Sequence, residues 1–212
     1  MSEEARLRDD ICRWGSILYQ RQLAHGSAGN LSMRLKDGTF LVTPTNSCLG
    51  FLKPEQISRV SVEGELLDGE PPSKESFFHL AMYQERPKAG AIVHLHSTYA
   101  VAVSCLCHAS PENVLPPLTA YHVMRVGKLP LVEYYRPGDK ALAAAVGQRA
   151  RDHRSMLLAN HGPIVSAGSL DQAVFAYEEL EETAKLFFIL GDRKTQPLNA
   201  SAIAEIDAAF PS

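Results

Sequence analysis

Two stretches of helical periodicity flank a middle region of short β-branched runs in this 212-residue chain. The first predicts a helix over roughly residues 4–24, with Gly26 placed to end it. The last predicted helix begins at Ser169, and Gln172 three residues later completes a capping-box pattern. Helices on both sides of a region of short strands indicate a fold in which helices pack against a sheet. The apolar stripe of the first helix consists of Leu7, Ile11, Trp14 and Leu18.

The middle region alternates predicted strands and helices, so the chain is expected to form one α/β domain over residues 1–212. Its clearest feature is a hairpin, in which Lys36-Asp37-Gly38 separates the runs NLSMRL and TFLVT. Neither a repeat nor a low-complexity linker marks a domain boundary. Further strands are predicted within 51–62 and near 89–97, 131–134, 155–159 and 163–166, and further helices over 73–85, 98–107 and 139–151.

Charge and cysteine content exclude several classes of protein. The 21 Lys and Arg residues and the 24 Asp and Glu residues give a formal charge of −3, which argues against a nucleic-acid partner. Four cysteines are too few for a disulfide scaffold. The charged N-terminus does not resemble a signal peptide, and the apolar stretches fall short of the ~20 residues that span a bilayer. We therefore expect a cytoplasmic protein with no membrane partner.

Three of the eight histidines fall in a pattern that suits a metal ion. His94 and His96 lie at i and i+2 of a predicted strand, so both imidazoles should project from one face, about 7 Å apart along the backbone. His161 ends another predicted strand, and Glu75 offers a carboxylate near a helix start. Three imidazoles and a carboxylate are competent ligands for a catalytic divalent ion, with zinc favoured. A structural use of the two strand histidines is the alternative interpretation.

Three polar loops form a candidate cradle for a phosphate group. They are residues 26–30 (GSAGN), residues 43–47 (TPTNS) and the pair Ser73-Lys74. Together they offer hydroxyls, amides, permissive backbone and one cation, the last at a helix N-terminus where anions are stabilised. Each loop taken alone is equally explained as a turn or a cap, because Gly, Ser and Asn are the usual turn residues.

Five motifs together resemble the class II aldolase/adducin family, which includes L-fuculose-1-phosphate aldolase and L-ribulose-5-phosphate 4-epimerase. In order they are GSAGNLSMR, LVTPTNS, SKE, VHLHST and ANHG, and the resemblance runs from about residue 5 to 190. It implies a three-layer α/β/α sandwich around a mostly antiparallel sheet. It also implies a cyclic homotetramer with active sites at the subunit interfaces.

The resemblance also assigns roles to individual residues. His94, His96 and His161 match the metal histidines of the family, and Glu75 matches its metal-proximal acid/base carboxylate. Lys74 stands where the fuculose-phosphate aldolase has a second serine, and Thr45-Asn46 stands where that aldolase has threonine-glycine. The positions that match the phosphate site are Gly29, Asn30, Thr45, Asn46, Ser73 and Lys74, with Ser27 beside them.

Two further segments resemble the branch of this family that decarboxylates 3-oxo-tetronate 4-phosphate, namely LPPLTAYHVMRVGKLPLVEYYRPGD and EELEETAKL. Such a substrate is a β-keto acid, so loss of CO2 leaves an enediolate, and protonation yields dihydroxyacetone phosphate. A divalent ion, Zn2+ or else Mn2+ or another, would stabilise the developing charge. Glu75 is the expected proton carrier. Tyr121, reaching a neighbouring subunit's site, is the second candidate.

Other interpretations stay open at this point. The substrate carboxylate could be held by Arg125, Lys128 or Arg136, each of which is otherwise a solvated surface cation. The reaction could instead be that of an aldolase, an epimerase or a dehydratase acting on a fuculose-, ribulose- or methylthioribulose-phosphate type of substrate. A non-catalytic, adducin-like interaction module is the alternative outside enzymes. The acidic residues of the segment 178–182 are expected on a solvated helix face.

Overall fold

The computed structural model describes residues 2–108 and 110–210, which build an eight-stranded sheet between two layers of helices. The strands lie in the order β4-β3-β2-β1-β5-β8-β7-β6. Every neighbouring pair is antiparallel except β6 and β7, which are parallel. The mostly antiparallel sheet confirms the expected fold class. The strands are β1 Asn30–Arg34, β2 Phe40–Val42, β3 Ser58–Val60, β4 Leu66–Asp68, β5 Ala91–His94, β6 Leu131–Val132, β7 Ser155–Leu158 and β8 Gly162–Ala167.

Each face of the sheet buries its own apolar cluster, as the period of two along a strand requires. On β5, Val93 belongs to the cluster under α1, α3 and α6, whereas Ile92 belongs to the cluster under α2 and α5. Both side chains are fully buried. The three-layer α/β/α arrangement is thereby confirmed. The helices are α1 Glu3–Gln20, α2 Ser76–Glu85, α3 Thr98–Ser104, α4 Ala120–Arg125, α5 Ala141–Ala150, α6 Leu170–Leu190 and α7 Ala200–Ala209.

Helix α1 ends at Gln20, so the predicted end near residue 24, with Gly26 as the terminator, is wrong. Gln22 adopts a left-handed conformation with φ of 61°. Its N–H bonds to the Tyr19 carbonyl, and the Leu23 N–H bonds to the Leu18 carbonyl. This pattern is the Schellman motif, which usually takes glycine at the left-handed position. Packing of Leu23 against the core accompanies the motif here.

Helix α2 begins at Ser76 rather than at the predicted Ser73, and Glu75 is its N-cap residue. Ser73 lies outside the helix, and its N–H bonds to the Thr43 carbonyl. The Ser73 hydroxyl accepts a hydrogen bond from the Glu75 N–H. Because the helix starts late, residues 73–75 lie outside it and next to Thr43, which directly follows β2.

Three observed elements are absent from the sequence predictions. The edge strand β4 has only exposed residues, so it carries no alternating pattern. The short helix α4 is capped by the Thr119 hydroxyl, and α7 is capped by the Asn199 side chain but buries none of its residues. Among residues 2–108 and 110–210, no helix combines the length and the apolar character needed to cross a membrane.

Candidate active site

Four side chains from three separated segments meet near the C-terminal end of β5, in the middle of the sheet. They are Glu75, His94, His96 and His161, and their candidate ligand atoms all lie within 4.8 Å of one another. Glu75 precedes α2, His94 ends β5, and His161 lies in the tight turn between β7 and β8. The left-handed Asn160, with φ of 55°, forms that turn. The structure thus brings together all four residues that the sequence singled out for a metal ion.

The spacing of these atoms suits a shared cation. His94 Nε2 lies 3.1 Å from His96 Nε2. Glu75 Oε1 lies 3.0 Å from His161 Nε2, and Glu75 Oε2 lies 3.5 Å from His94 Nε2. Two ligand atoms of a tetrahedral zinc ion are expected to lie about 3.3 Å apart, given zinc–nitrogen bonds near 2.05 Å. The observed separations bracket that value.

Hydrogen bonding leaves a free lone pair on His94 that points into the cluster. His94 Nδ1 donates to the Pro163 carbonyl at 2.9 Å, because a carbonyl can only accept. Burial lowers the pKa of His94 well below its usual value, so the ring is neutral and its Nε2 is unprotonated. Burial, helped by His161, also lowers the pKa of His96 to about 4. Neutral imidazoles are the form that binds a metal ion.

His96 lies outside β5, so the expectation that both histidines belong to one strand is wrong. The β5–β8 ladder ends at the pair of His94 and Ile164. His96 follows in an irregular segment before α3, yet its ring centroid still lies 5.0 Å from that of His94. The two rings therefore share a site although only His94 belongs to the strand.

The Glu75 carboxylate is held in its charged form. Burial alone would raise its pKa, but His94 and His161, together with a hydrogen bond from Asn30, lower the pKa below the usual value. Asn30 Nδ2 donates to Glu75 Oε2 at 2.7 Å, while Asn30 Oδ1 is buried without a partner among the described residues. The side chain of Asn30 therefore connects the first polar loop to the histidine cluster.

The three polar loops predicted to hold phosphate converge beside this cluster. Besides the bond from Asn30 to Glu75, the Ser73 N–H donates to the Thr43 carbonyl at 3.1 Å, and an isolated bridge pairs Pro44 with Pro72. The predicted residues differ in accessibility: Ser73 and Asn30 are buried, Gly29 and Thr45 are half-buried, and Ser27, Asn46 and Lys74 are exposed. A binding role for them stays a prediction.

The backbone conformation and the close surroundings of Gly29, in the first polar loop, both favour glycine. Its φ is +84°, and an added Cβ would lie 2.9 Å from the His94 carbonyl oxygen and 2.8 Å from the Leu95 side chain. We expect Gly29→Ala to lower the free energy of unfolding by about 1–2 kcal/mol for the left-handed backbone. Overpacking against β5 adds at least about 1 kcal/mol.

Gly38→Ala is the matched control for this prediction, measured by urea unfolding. Gly38 has nearly the same φ, +88°, but a Cβ added there would meet nothing within 4 Å, so only the backbone cost applies. An equal loss of stability in the two variants would contradict the close packing of Gly29 against His94 and Leu95.

Tyr121 stands apart from the four clustered side chains. It lies on α4 with 57% of its surface exposed, and the Arg125 guanidinium covers its ring at 5.7 Å. Among the described residues, no hydrogen bond or ring contact joins Tyr121 to the cluster. A catalytic role for Tyr121 would therefore need a second copy of the chain, as expected from the sequence, and it stays a prediction.

The three cations considered for a substrate carboxylate also lie outside the cluster. Arg125 packs over Phe175 as well as Tyr121, with its guanidinium carbon 5.5 Å from the Phe175 ring centre. Lys128 is exposed, and Arg136 lies 4.0 Å from Asp139 on the surface. Nothing in the single chain selects one of them.

Glu181 contradicts the expectation of a solvated acidic face on α6. Only 8% of it is exposed, and its carboxylate accepts hydrogen bonds from the N–H groups of Tyr99 and Ala100. Its neighbours are more exposed, as Glu182 shows. Position 181 follows Tyr177 by four residues, so it lies on the buried stripe of the helix, and that spacing could have revealed it.

His79 is a fully buried histidine outside the four-residue cluster. Its Nδ1 lies 2.8 Å from the Ser32 hydroxyl, which in turn lies 3.0 Å from the Tyr83 hydroxyl. Burial lowers the pKa of His79 to about 3, so the ring is neutral.

Comparison with known proteins confirms the resemblance deduced from the motifs. The family model for the Class II Aldolase and Adducin N-terminal domain matches residues 9–188. The chain is 53% identical over 203 residues to a 3-oxo-tetronate 4-phosphate decarboxylase of Escherichia coli strain K12, covering 96% of each. It is 36% identical to an L-fuculose phosphate aldolase of Methanococcus maripaludis, covering 87% of this chain and 96% of that one.

The crystal structure of YgbL from Escherichia coli has the same fold. It matches with a TM-score of 0.95 at 52% identity, covering 97% of this chain and 99% of its own.

Proposed function

Because this chain belongs to the class II aldolase and adducin family, we propose that it is a metal-dependent carbon–carbon lyase that decarboxylates 3-oxo-tetronate 4-phosphate. The products are dihydroxyacetone phosphate and CO2. The convergence of Glu75, His94, His96 and His161 beside three polar loops carries the proposal. The 53% identity to a decarboxylase of that substrate supports the choice of reaction within the family.

The proposed cofactor is Zn2+, held by the three clustered histidines and Glu75. Neutral imidazoles favour zinc, and the same ligands accept Mn2+ or another divalent ion. When bound, the ion supplies Lewis-acid stabilisation of the negative charge that develops on the substrate oxygens. His94 is oriented for this role by its hydrogen bond to the Pro163 carbonyl.

Glu75 is proposed to carry the proton that completes the reaction. Breaking the C1–C2 bond releases CO2 and leaves its electron pair in an enediolate over C2 and C3. Protonation at C2 then gives dihydroxyacetone phosphate. Since the Glu75 carboxylate is ionised at neutral pH, it takes up a proton from water before it delivers one to C2.

The polar loops are proposed to hold the 4-phosphate of the substrate. Their hydroxyls, amide groups and backbone N–H groups are the donors that phosphate oxygens accept, and Lys74 contributes the positive charge. The loops lie next to the metal ligands, since Asn30 bonds directly to Glu75. The residues proposed for this role are Ser27, Gly29, Asn30, Thr45, Asn46, Ser73 and Lys74.

We further propose a cyclic homotetramer with active sites at the subunit interfaces. In that assembly Tyr121, and one of the cations Arg125, Lys128 and Arg136, would come from a neighbouring subunit. The proposal is supported by the exposure of Tyr121 and Ile189, at 57% and 56%, since a neighbouring subunit could cover these side chains. Light scattering on the purified protein tests the assembly, and a monomer would contradict it.

A cytoplasmic location completes the proposal. The four cysteines are all unpaired in the structure, as expected where thiols are kept reduced. Cell fractionation tests this, and recovery of the protein outside the cytoplasm would contradict it.

The decisive experiment compares two substrates on the Zn2+-loaded protein. We expect CO2 release and dihydroxyacetone phosphate from 3-oxo-tetronate 4-phosphate, and at most slow cleavage of L-fuculose 1-phosphate. Aldol cleavage of L-fuculose 1-phosphate without CO2 release would instead favour the second candidate, a sugar-phosphate aldolase. The 36% identity to an L-fuculose phosphate aldolase is the observation that supports that candidate. Both reactions produce an enediolate, and they differ in the fragment that leaves.

A further inference from the structure

The segment that carries His96 has few bonds of its own. It follows the last ladder pair of β5 and precedes α3, so Leu95 lacks a sheet partner for its carbonyl. Among the contacts of the described residues, the His96 ring makes a single hydrogen-bonding approach, to His94 Nε2. By contrast, His94 is fixed independently through the Pro163 carbonyl. The orientation of His96 therefore depends on its backbone.

Two side chains of α6, those of Tyr177 and Glu181, make hydrogen bonds to the residues on either side of His96. The Tyr177 hydroxyl donates to the Leu95 carbonyl at 2.8 Å, and both residues are fully buried. The Ser97 hydroxyl donates to Glu181 at 2.7 Å and lies 3.0 Å from the Tyr177 hydroxyl. Each hydroxyl has one hydrogen, so Tyr177 fixes residue 95 and Glu181 fixes residue 97, on either side of His96.

Glu181 also caps α3 from outside that helix. Its Oε1 accepts from the Tyr99 N–H at 2.9 Å, and its Oε2 accepts from the Ala100 N–H at 2.8 Å. The N-cap residue Ser97 makes no capping bond with its own side chain. The carboxylate thus satisfies N–H groups that a helix start leaves unpaired, and it fixes where the helix begins after His96.

We propose that Tyr177 and Glu181 are positioning residues for His96, a role that rests on the proposed metal site. They act through the backbone of residues 95–100 and do not touch the cluster themselves. Gly162, at the start of β8, packs so closely on this segment that an added Cβ would lie 2.6 Å from the Leu95 oxygen. The segment therefore contacts both α6 and the turn that carries His161. Loss of either α6 contact should let the His96 ring leave the geometry needed for a shared ion.

The test is the affinity for Zn2+, measured by competition with a chromogenic chelator. Tyr177→Phe and Glu181→Gln should each weaken Zn2+ binding by about 10–100-fold, the range typical of groups that orient metal ligands. Ser97→Ala removes a single hydroxyl and should act in the same direction. It keeps the proposal testable if the larger variants fail to fold.

Two matched variants separate positioning from general stability. Tyr83→Phe also removes a fully buried hydroxyl, one that bonds to Ser32 on the other face of the sheet. Glu182→Gln makes the same exchange at the exposed neighbour of Glu181. Both should retain wild-type Zn2+ affinity, even where the melting temperature of Tyr83→Phe falls as far as that of Tyr177→Phe.

The possible failures are distinct. A wild-type protein that binds no Zn2+ would overturn the proposed metal site itself. Wild-type binding with unchanged affinity in the folded variants at Tyr177, Glu181 and Ser97 would overturn only the positioning role. Equal weakening in Tyr83→Phe would also overturn it, because the effect would then follow stability rather than the position of His96.

Discussion

Replacing His96 by alanine is expected to abolish stoichiometric binding of a divalent ion and to reduce turnover by at least about 10³-fold. The proposed ion contributes several kcal/mol of charge stabilisation, and each 1.36 kcal/mol corresponds to a factor of ten in rate. His96 Nε2 lies 3.1 Å from His94 Nε2, so removal of one ring breaks the ligand set while the core stays intact. Metal content by mass spectrometry and the rate of CO2 release are the two measurements.

His153→Ala is the control for this substitution. His153 precedes β7 and lies outside the clustered four, so its loss should leave both the metal content and the rate unchanged. Turnover in His96→Ala within about tenfold of wild type, with the ion still bound, would refute the assignment of His96 as a ligand.

The clustered site was predictable because its ligands sit in short local patterns. Two histidines at i and i+2 must project together wherever the backbone is extended, and Asn160-His161-Gly162 reads as a turn after a strand. These local rules needed no knowledge of the tertiary fold. Bringing His161 next to His94 did need it, because β8 had to pair with β5, and the family resemblance supplied that information.

The errors arise where distant parts of the chain decide the local structure. The predicted start of α2 at Ser73 was wrong because residues 72 and 73 pair with the distant residues 44 and 43 and stay outside the helix. Glu181 was assigned to solvent because an acidic run looks exposed. Its side chain instead accepts hydrogen bonds from the start of α3, and the four-residue spacing from Tyr177 was the local sign of that burial.

The elements that were predicted from the sequence are mainly those that bury apolar residues. The strands β1, β2, β5, β7 and β8 are lined with buried apolar residues, and each lay in a predicted run. The edge strand β4 and the last helix α7 bury nothing. Neither buries an apolar stripe of the kind from which elements are predicted.

Glu75→Gln is expected to keep the fold and the ion but to lower turnover by 10²–10⁴-fold, the usual contribution of a general acid or base. Glutamine retains an oxygen that can accept the hydrogen bond from Asn30 Nδ2, and the three histidines remain as ligands. What it lacks is a group that gains and loses a proton at neutral pH. The rate of CO2 release is to be measured on protein whose metal content has first been shown to match wild type.

Hydrogen exchange separates the proton transfer from the bond cleavage. The carbon of dihydroxyacetone phosphate that was C2 of the substrate receives the proton in the proposed reaction, so the loaded enzyme should exchange one hydrogen there in D2O. Glu75→Gln should lose this exchange, whereas Glu85→Gln, at the other end of α2, should retain it. Exchange that persists in the loaded Glu75→Gln protein would show that another group carries the proton. Tyr121, supplied by a neighbouring subunit, would then become the leading candidate.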